Sequence, residues 1–188
     1  MFVVFRENPF KSVEKSKGKA VLSSLTQENL GTSGNGILDL VSEFIGSVEN
    51  TENLRSWFQA YCQNVLRPFL ILQANYGVLL GAHQQNLVIS LENGIPNGCY
   101  FRDCQGTGYS ELGFKLYSQL IASIREENEN VVSSEMGHAL FGYYLIANSS
   151  FGVISALSPL DPAVEEILIS LFCINDQDGS ELKFILFN

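Results

Sequence analysis

The most constraining feature of the sequence is a stripe of apolar residues that recurs every three or four positions across residues 54–69. This spacing places the apolar side chains on one face of an α-helix, which must be buried against the rest of the fold. Gly77 ends the pattern in the manner of a glycine C-cap, and Pro68 should kink the helix or divide it in two. Trp57 and Tyr61 belong to the stripe, so we interpret them as core residues in preference to a ligand platform.

Two β-prone runs, residues 87–91 and 99–102, flank a segment rich in turn-forming residues at positions 93–98. This pattern predicts a β-hairpin. Other signals predict helices at residues 37–45, 112–124, 133–147 and 162–173, a strand at 2–5, a short strand or turn at Leu22 and Leu25, a solvated lysine-rich loop at 11–19, and a strand or frayed tail at 182–187. The predicted fold class is helix-rich α+β, with a central β-hairpin that belongs to a small antiparallel sheet.

The charge balance and the cysteine spacing limit the kinds of partner and compartment. Twenty acidic against eleven basic residues give a net charge of −9, which would repel a phosphate backbone, so nucleic acid is not an expected partner. We find no signal-peptide pattern and no stretch near the ~20 uninterrupted apolar residues of a membrane span. The four cysteines include no CxxC pair, and although Cys99 and Cys104 could approach each other, free thiols in a reducing cytoplasm are expected. The protein is therefore predicted to be cytoplasmic, with no membrane partner.

Polar residues precede the first strand of the predicted hairpin and follow the second. Asn86 and Asp103 bracket it, so both should lie at its open end. An amide oxygen and a carboxylate are hard ligands suited to Mg²⁺, which is completed by phosphates and water. Protein kinases hold their metal ions with a comparable Asn and Asp pair, which is an analogy of geometry. His83 lies three residues before Asn86, so one helical turn or a tight loop would direct both side chains to the same site.

His83 and Gln85 add further hydrogen-bonding groups to this end of the hairpin. The imidazole could bind a phosphate or transfer a proton, and Gln85 could add a polar contact. Each residue taken alone is better explained by a buried histidine bonded to local backbone, or by amides that cap a helix end. The run 83–86 followed by Arg102 and Asp103 favours a functional site, because so many polar side chains beside apolar runs are costly without a polar purpose. Arg102 itself either belongs to the site or pairs with an acidic neighbour.

The same segment carries a resemblance to a known family. Residues 77–86 read GVLLGAHQQN, the hairpin carries Asn93-Gly94, and residues 101–106 read FRDCQG. This pattern resembles the signature of the aerobactin-type (IucA/IucC), NRPS-independent siderophore synthetases. The similarity also includes residues 6–9 and the Arg67-Pro68 helix, so that it extends over residues 1–125.

The resemblance implies an enzyme that activates a carboxylate of citrate, or of a related acid, as an acyl-adenylate and condenses it with an amine or hydroxyl. It implies ATP and Mg²⁺ as cofactors, bound by His83, Gln85, Asn86 and Asp103, with Asn86 and Asp103 as the metal ligands. His83 and Gln85 are the implied catalytic residues, in contact with phosphate or with the reacting carboxylate. The implied partners are small-molecule carboxylates and amines or alcohols, and the family's tendency to dimerise implies a homodimer.

The resemblance also places residues 1–188 in a single C-terminal domain or fragment, the palm-like portion of a larger enzyme. Within it, a strand and loops are expected at 1–36, helices at 37–80, the active-site hairpin at 83–106 and a helical remainder at 109–188. Members of the family are much longer, and they usually carry a glutamate two positions before the histidine, where this chain has Gly81.

The isolated chain should therefore be catalytically incomplete. A non-catalytic binding or assembly module that retains the synthetase fold is the alternative, favoured by Gly81 and by the short length. A kinase-like phosphotransferase ranks last, because the sequence lacks a catalytic aspartate between His83 and Asn86.

Overall fold

The computed structural model describes residues 17–30, 34–104, 107–125, 129–158, 164–166 and 169. The strand predicted at 2–5, the lysines before position 17, residues 6–9 and 105–106, most of the helix predicted at 162–173 and the tail at 182–187 lie outside the described residues. The elements are β1 (Lys17–Val21), α1 (Leu22–Thr26), α2 (Gly36–Phe44), α3 (Thr51–Tyr61), a π-helical segment (Cys62–Leu66), α4 (Arg67–Tyr76), β2 (Val78–Leu79), a 3-10 turn (Gln84–Asn86), β3 (Leu87–Glu92), β4 (Ile95–Phe101), β5 (Gly108–Tyr109), α5 (Glu111–Tyr117), α6 (Ser134–Phe141), a second π-helical segment (Gly142–Ser150) and α7 (Phe151–Leu157). Helices packed beside small antiparallel sheets confirm the predicted helix-rich α+β class.

The predicted stripe at 54–69 forms α3, the first π-helical segment and the start of α4. Trp57 and Tyr61 are fully buried and their rings stack at 6.3 Å, which confirms that they belong to the core. The helix is divided ahead of Pro68, where the Arg67 N–H bonds to Cys62 O and widens the turn that precedes the proline. Gly77 then ends α4 with a left-handed φ of 64°, and a Cβ there would collide with the backbone of Gly113.

The three-stranded antiparallel sheet has the order β1, β3, β4. The connection between β3 and β4 is a two-residue turn, with φ of 50° at Asn93 and 73° at Gly94, so the longer loop predicted at 93–98 is wrong. Residues 95–98 instead belong to β4, where a register shift next to Leu91 accommodates Pro96 in the ladder. Trp57 Nε1 donates a hydrogen bond of 3.0 Å to Gly94 O, which ties this turn to α3.

Two predictions for the residues that form β1 and α1 were wrong. Lys19 lies in β1, not in a solvated loop, because the strand pairs with β3 and the ammonium lies 5.0 Å above the Tyr100 ring. Leu22 and Leu25 lie on the short helix α1, not on a strand or turn, since their spacing of three buries both on one face. The helix predicted at 37–45 is confirmed by α2.

The C-terminal helices differ in length from their predictions. The helix predicted at 112–124 ends at Tyr117, and Leu112, Leu116 and Leu120 of its apolar pattern are exposed, so they supply no packing that would stabilise a longer helix. The helix predicted at 133–147 continues to Leu157 through the second π-helical segment.

Within the described part of the chain, the helix Glu135–Leu157 is the one helix long and apolar enough, by length and composition, to cross a membrane. Half of its most apolar window is buried inside the fold. Leu145, Ile154 and Leu157 are buried in the same core as Trp57. This is the packing of a core helix.

Candidate functional site

The candidate site is built on the 3-10 turn that leads into β3. His83 precedes this turn and Asn86 ends it, with the Asn86 N–H bonded to His83 O at 2.8 Å. The turn brings the two side chains together, so that Asn86 Nδ2 lies 3.1 Å from His83 Nε2. Asn86 Nδ2 also donates to Gly81 O at 3.2 Å. His83 is half-buried and Asn86 is buried, so the pair is held inside the fold.

These contacts determine which atoms of the pair remain available to a ligand. Both hydrogens of the Asn86 amide are used, one by Gly81 O and one by the imidazole. Within the described residues, Asn86 Oδ1 receives no hydrogen bond, so this oxygen is left as an acceptor for a cation. Because His83 Nε2 accepts from the amide, its proton lies on Nδ1, and the neutral ring presents an N–H donor.

Asp103 lies at the same open end of the hairpin. The Arg102 N–H bonds to Asn86 O at 3.0 Å and extends the pairing of Leu87 with Phe101 by one position. Asp103 follows directly, with an exposed side chain and a φ of 67°. Aspartate enters the left-handed region more readily than most residues, and such positions occur often at functional sites.

The donor set at this end fits Mg²⁺. An amide oxygen and a carboxylate are hard ligands, and Mg²⁺ commonly takes one or two protein oxygens beside phosphates and water. Among the residues that the structure describes, no group of three or more His, Cys, Asp or Glu could enclose a metal ion. An open site of two oxygens that relies on a phosphate ligand is therefore the arrangement that Asn86 and Asp103 can support.

Gln85 and Arg102 meet beside this site. The Gln85 side chain is exposed, whereas its backbone carbonyl accepts a 2.6 Å hydrogen bond from Arg102 Nε. Of the two interpretations of Arg102, the contact supports a structural one, although its partner is a backbone carbonyl and not the acidic neighbour. Arg102 thus joins the 3-10 turn to the end of β4 and leaves the Gln85 amide available.

Sequence reasoning missed the residues that anchor the turn. Gln84 N–H donates to Asn148 Oδ1 at 3.0 Å, and Gln84 Nε2 donates to Asn148 O at 2.7 Å. The Thr26 hydroxyl donates to Gln84 Oε1, and the Ser149 hydroxyl donates to Ala82 O at 2.7 Å. The HQQN run is a signal for polar contacts, but nothing in the sequence pairs Gln84 with Thr26 and Asn148, which lie 58 and 64 positions away.

A cavity of about 260 Å³ adjoins the turn. Its walls come from β2, the loop at Gly81, residues 107–108 and 129–132, and the helix around Tyr144. The Tyr144 ring lies 5.6 Å from the His83 ring, so the cavity and the His83–Asn86 pair share a wall. A Cβ at Gly81 would meet no atom within 4 Å.

Two of the cysteines, Cys62 and Cys99, are not placed for nucleophilic chemistry. Cys62, Cys99 and Cys104 are free thiols, so the Cys99–Cys104 pair is not a disulfide. Burial raises the pKa of Cys62 to about 12 and the pKa of Cys99 to about 11. Since the thiolate is the reactive form, both thiols are inert near neutral pH.

The chain matches known proteins over most of its length. A family model described as "Ferric iron reductase FhuF-like transporter" matches residues 55–172. The N(2)-citryl-N(6)-acetyl-N(6)-hydroxylysine synthase of Vibrio mimicus is 38% identical over 174 residues, covering 90% of this chain and 29% of that protein. The spermidine-citrate ligase of Bacillus anthracis is 31% identical over 170 residues, covering 89% of this chain and 28% of that protein.

The fold matches solved structures as well. The ATP-bound structure of aerobactin synthetase IucA from a hypervirulent pathotype of Klebsiella pneumoniae aligns with a TM-score of 0.74 and 26% identity. The alignment covers 89% of this chain and 31% of that one. The chain therefore spans less than a third of the length of these relatives.

Proposed function

The chain belongs to the NRPS-independent siderophore synthetase family, whose FhuF-like domain it carries at residues 55–172, and from this premise we propose a function within such an enzyme. It is the C-terminal part that holds ATP and Mg²⁺ while a carboxylate of citrate, or of a related acid, is adenylated and condensed with an amine or hydroxyl. The names of the two relatives support the substrates, since they describe a citryl synthase and a spermidine-citrate ligase. The ATP-bound state of the Klebsiella pneumoniae synthetase supports the nucleotide.

The observation that carries this proposal is the double hydrogen bond of the Asn86 amide to Gly81 O and His83 Nε2. These bonds orient Asn86 so that its Oδ1 is left for a cation. They also hold His83 in the tautomer that carries its proton on Nδ1. Asn86 Oδ1 has no partner among the described residues and is not one of their fully buried unpaired atoms, so a ligand can reach it. This arrangement therefore supports a ligand site at the end of the hairpin.

Each residue then has a distinct task. Asn86 Oδ1 and the Asp103 carboxylate would hold Mg²⁺, which supplies charge neutralisation and orientation of the phosphates. His83 donates from Nδ1 to a phosphate or carboxylate oxygen, and the exposed Gln85 amide adds a second polar contact. The half-buried position of the imidazole strengthens that donation relative to one made in water.

The remaining features of the proposal follow from the same premise. The reaction takes place in the cytoplasm, where ATP is available and free thiols such as Cys104 persist. The groups that grip the triphosphate come from the part of the enzyme that the chain does not cover. We also propose that the enzyme forms a homodimer, because the family resemblance implies one.

A non-catalytic assembly module remains the second candidate, and Gly81 favours it. The position has open space around it and lacks the carboxylate that the family usually places there. Such a module would keep partner binding when Asp103 is replaced, whereas a synthetase would lose turnover. The substitution Asp103→Asn separates these outcomes, because asparagine tolerates the left-handed backbone and removes the charge.

Two measurements test the proposal. Titration of ATP with Mn²⁺, a paramagnetic substitute for Mg²⁺, should broaden the NMR signals of Asn86 and Asp103 in the wild-type chain and not in Asp103→Asn. Exchange of this chain for the corresponding segment of the Vibrio mimicus synthase should give citrate-dependent pyrophosphate release that the same substitution abolishes. Absence of both nucleotide binding and pyrophosphate release would contradict the synthetase function.

A further inference from the structure

We propose that Tyr144 and Ser149 are positioning residues for His83, and that the π-helical turns of Gly142–Ser150 serve to bring both side chains onto the face that meets residues 82–84. We call residues 82–84 the site loop. The inference deepens the proposed function and rests on it for the ligand that His83 binds.

Two contacts connect the π-helical segment with the site loop at and next to His83. The Tyr144 ring lies 5.6 Å from the His83 ring, and the two planes are tilted by 53°. The Ser149 hydroxyl donates a hydrogen bond of 2.7 Å to Ala82 O, and both of these residues are fully buried. An aromatic contact and a buried hydrogen bond therefore hold two neighbouring residues of the loop.

The spacing of Tyr144 and Ser149 does not suit an α-helix. At about 3.6 residues per turn, side chains five positions apart point roughly 140° away from each other, so the two residues would not meet the same loop. A π-helix is bonded between residues i and i+5, which brings side chains five positions apart onto neighbouring positions of one face. The wider turns therefore explain how both residues contact the site loop.

Two hydrogen bonds define the π-helical register at the C-terminal end of the segment. The Phe151 N–H donates to Ile146 O, five positions earlier. The Ser150 hydroxyl donates to Leu145 O at 2.8 Å, also five positions earlier. Ser150 is fully buried, so this bond is shielded from water and stabilises the wide turn.

The cause of the first π-helical segment does not apply to the second. The first segment, Cys62–Leu66, comes just before Pro68. Residues 134–157 contain no proline. Turns of π-helix inside an α-helix occur often at functional sites. The contacts with the site loop therefore give the second segment a function that a proline does not explain.

Tyr144 acts on His83 through the orientation of the imidazole. His83 Nε2 lies 3.1 Å from Asn86 Nδ2 and accepts its hydrogen bond, which leaves Nδ1–H as the donor. Rotation of the imidazole by half a turn would put a carbon atom in place of Nε2 and break this bond. The Tyr144 ring lies against the imidazole and limits that rotation. Ser149 fixes the backbone at Ala82, directly before the histidine.

The tautomer of His83 tests this inference without nucleotide. Long-range ¹H–¹⁵N NMR at about pH 8, where an ordinary imidazole is neutral, distinguishes a proton on Nδ1 from one on Nε2. The chain has two histidines, and the exposed His138 serves as the reference for an imidazole in water. His83 should carry its proton on Nδ1 in the wild type. Tyr144→Leu and Ser149→Ala should each lower the population of this tautomer.

Three variants serve as controls. Tyr144→Phe keeps the ring and should keep the Nδ1 tautomer. Tyr76→Leu removes an exposed ring on α4, and Ser158→Ala removes a hydroxyl that bonds to Ile154 O at the end of α7. Neither of these two changes should alter the tautomer. An unchanged tautomer in Tyr144→Leu or in Ser149→Ala would overturn the positioning role of that residue.

A separate NMR measurement tests the π-helical register. Coupling through the hydrogen bond should connect the Phe151 amide with the Ile146 carbonyl. The Ser158 amide, which bonds to Ile154 O four positions earlier, is the α-helical reference within the same helix. Coupling of Phe151 to the carbonyl of Ala147 would show an α-helical register and overturn the role of the π-helical turns.

Activity provides the functional readout. In the Vibrio mimicus synthase that carries this chain, Tyr144→Leu should lower citrate-dependent pyrophosphate release about tenfold, the effect of losing one hydrogen bond to a charged group. Tyr144→Phe should not lower it. Equal activity of the Tyr144→Leu variant and the wild type would contradict a positioning role in the reaction.

The readouts separate this inference from the proposed function. The expected changes of tautomer, together with failure of ATP and Mn²⁺ to reach Asn86 and Asp103, would support the two positioning residues and contradict the synthetase. Metal-dependent ATP binding with an unchanged tautomer in both variants would support the synthetase and contradict the positioning residues.

Discussion

Gln84 and Asn148 lie 64 residues apart in sequence and are joined by two hydrogen bonds, from Gln84 N to Asn148 Oδ1 at 3.0 Å and from Gln84 Nε2 to Asn148 O at 2.7 Å. This pair fastens the 3-10 turn of the candidate site to the second π-helical segment. The His83 ring lies 5.6 Å from the Tyr144 ring of the same segment. The orientation of the site therefore depends on the helix as much as on the hairpin.

The first prediction concerns Gln84. Gln84→Leu should lower the free energy of unfolding by about 1–2 kcal/mol, because it removes the side-chain bonds to Asn148 and Thr26 and leaves their polar atoms unpaired. Gln85→Leu is the matched control, and it should change stability by less than about 0.5 kcal/mol because its side chain is exposed. Urea unfolding of both variants makes the comparison, and equal losses would show that Gln84 is not an anchor.

The second prediction uses two glycines of one long helix. A Cβ at Gly152 would collide with the Gln84 amide, whereas a Cβ at Gly142 would meet no atom within 4 Å. Both Gly→Ala changes gain helix propensity, so their difference isolates the contact. Gly152→Ala should be about 1–2 kcal/mol less stable than Gly142→Ala in thermal unfolding, because Gln84 must leave its partners. Identical midpoints would contradict this account.

The third prediction separates metal binding from folding. Asp103→Asn should abolish metal-dependent ATP binding and change stability by less than about 0.5 kcal/mol, since the side chain is exposed. Asn86→Ala should also abolish it and in addition cost about 1–3 kcal/mol, because the amide is buried and bonded to Gly81 O and His83. Calorimetric titration and urea unfolding measure the two effects. Unimpaired ATP binding in Asp103→Asn would remove Asp103 from the site.

The fourth prediction concerns alkaline pH. Burial raises the pKa of Cys99 in the folded state from 9.0 to about 11. The unfolded state therefore loses its thiol proton first, and above pH 9 it binds fewer protons than the folded state. The contribution of Cys99 to the free energy of unfolding should be fully present below pH 9 and should be lost as the pH rises toward 11.

Cys99→Ala provides the control for the alkaline loss. Its unfolding free energy should decline less steeply between pH 9 and 11 than that of the wild type, as measured by urea unfolding at each pH. The remaining slope belongs to other buried groups such as Cys62, whose pKa burial also raises. Parallel curves for the two proteins would show that Cys99 does not contribute.

Several parts of the fold could be predicted because their signals are local. The stripe at 54–69 encodes one buried helix face, and Asn93-Gly94 encodes a tight turn. The boundaries of the hairpin could not be predicted equally well, because Pro96 suggests a loop and its place in β4 depends on a register shift in the ladder. The apolar periodicity at 112–124 predicted a helix longer than α5, since the sequence does not reveal that Leu112, Leu116 and Leu120 face solvent.

The candidate site also combines features that sequence spacing predicted with contacts that it did not predict. Sequence spacing alone predicted that His83 and Asn86 share a turn and that Asp103 lies at the same end of the hairpin, because short-range geometry determines both. The resemblance assigned these residues to ATP and Mg²⁺, and their roles stay predictions. Gln84 was included in the polar run 83–86 without a role of its own, although it makes more hydrogen bonds to distant elements than its neighbour Gln85.

By itself, the sequence determined the helix-rich α+β class, the hairpin and the residues at its open end, because these depend on periodicity and spacing within a few turns of chain. Tertiary structure alone decided which atoms of Asn86 and His83 remain available, and that Asn148 and Ser149 hold the turn. The physical reason is that hydrogen bonds between distant segments depend on how the helices pack, and that packing leaves no periodic signal in the residues it brings together.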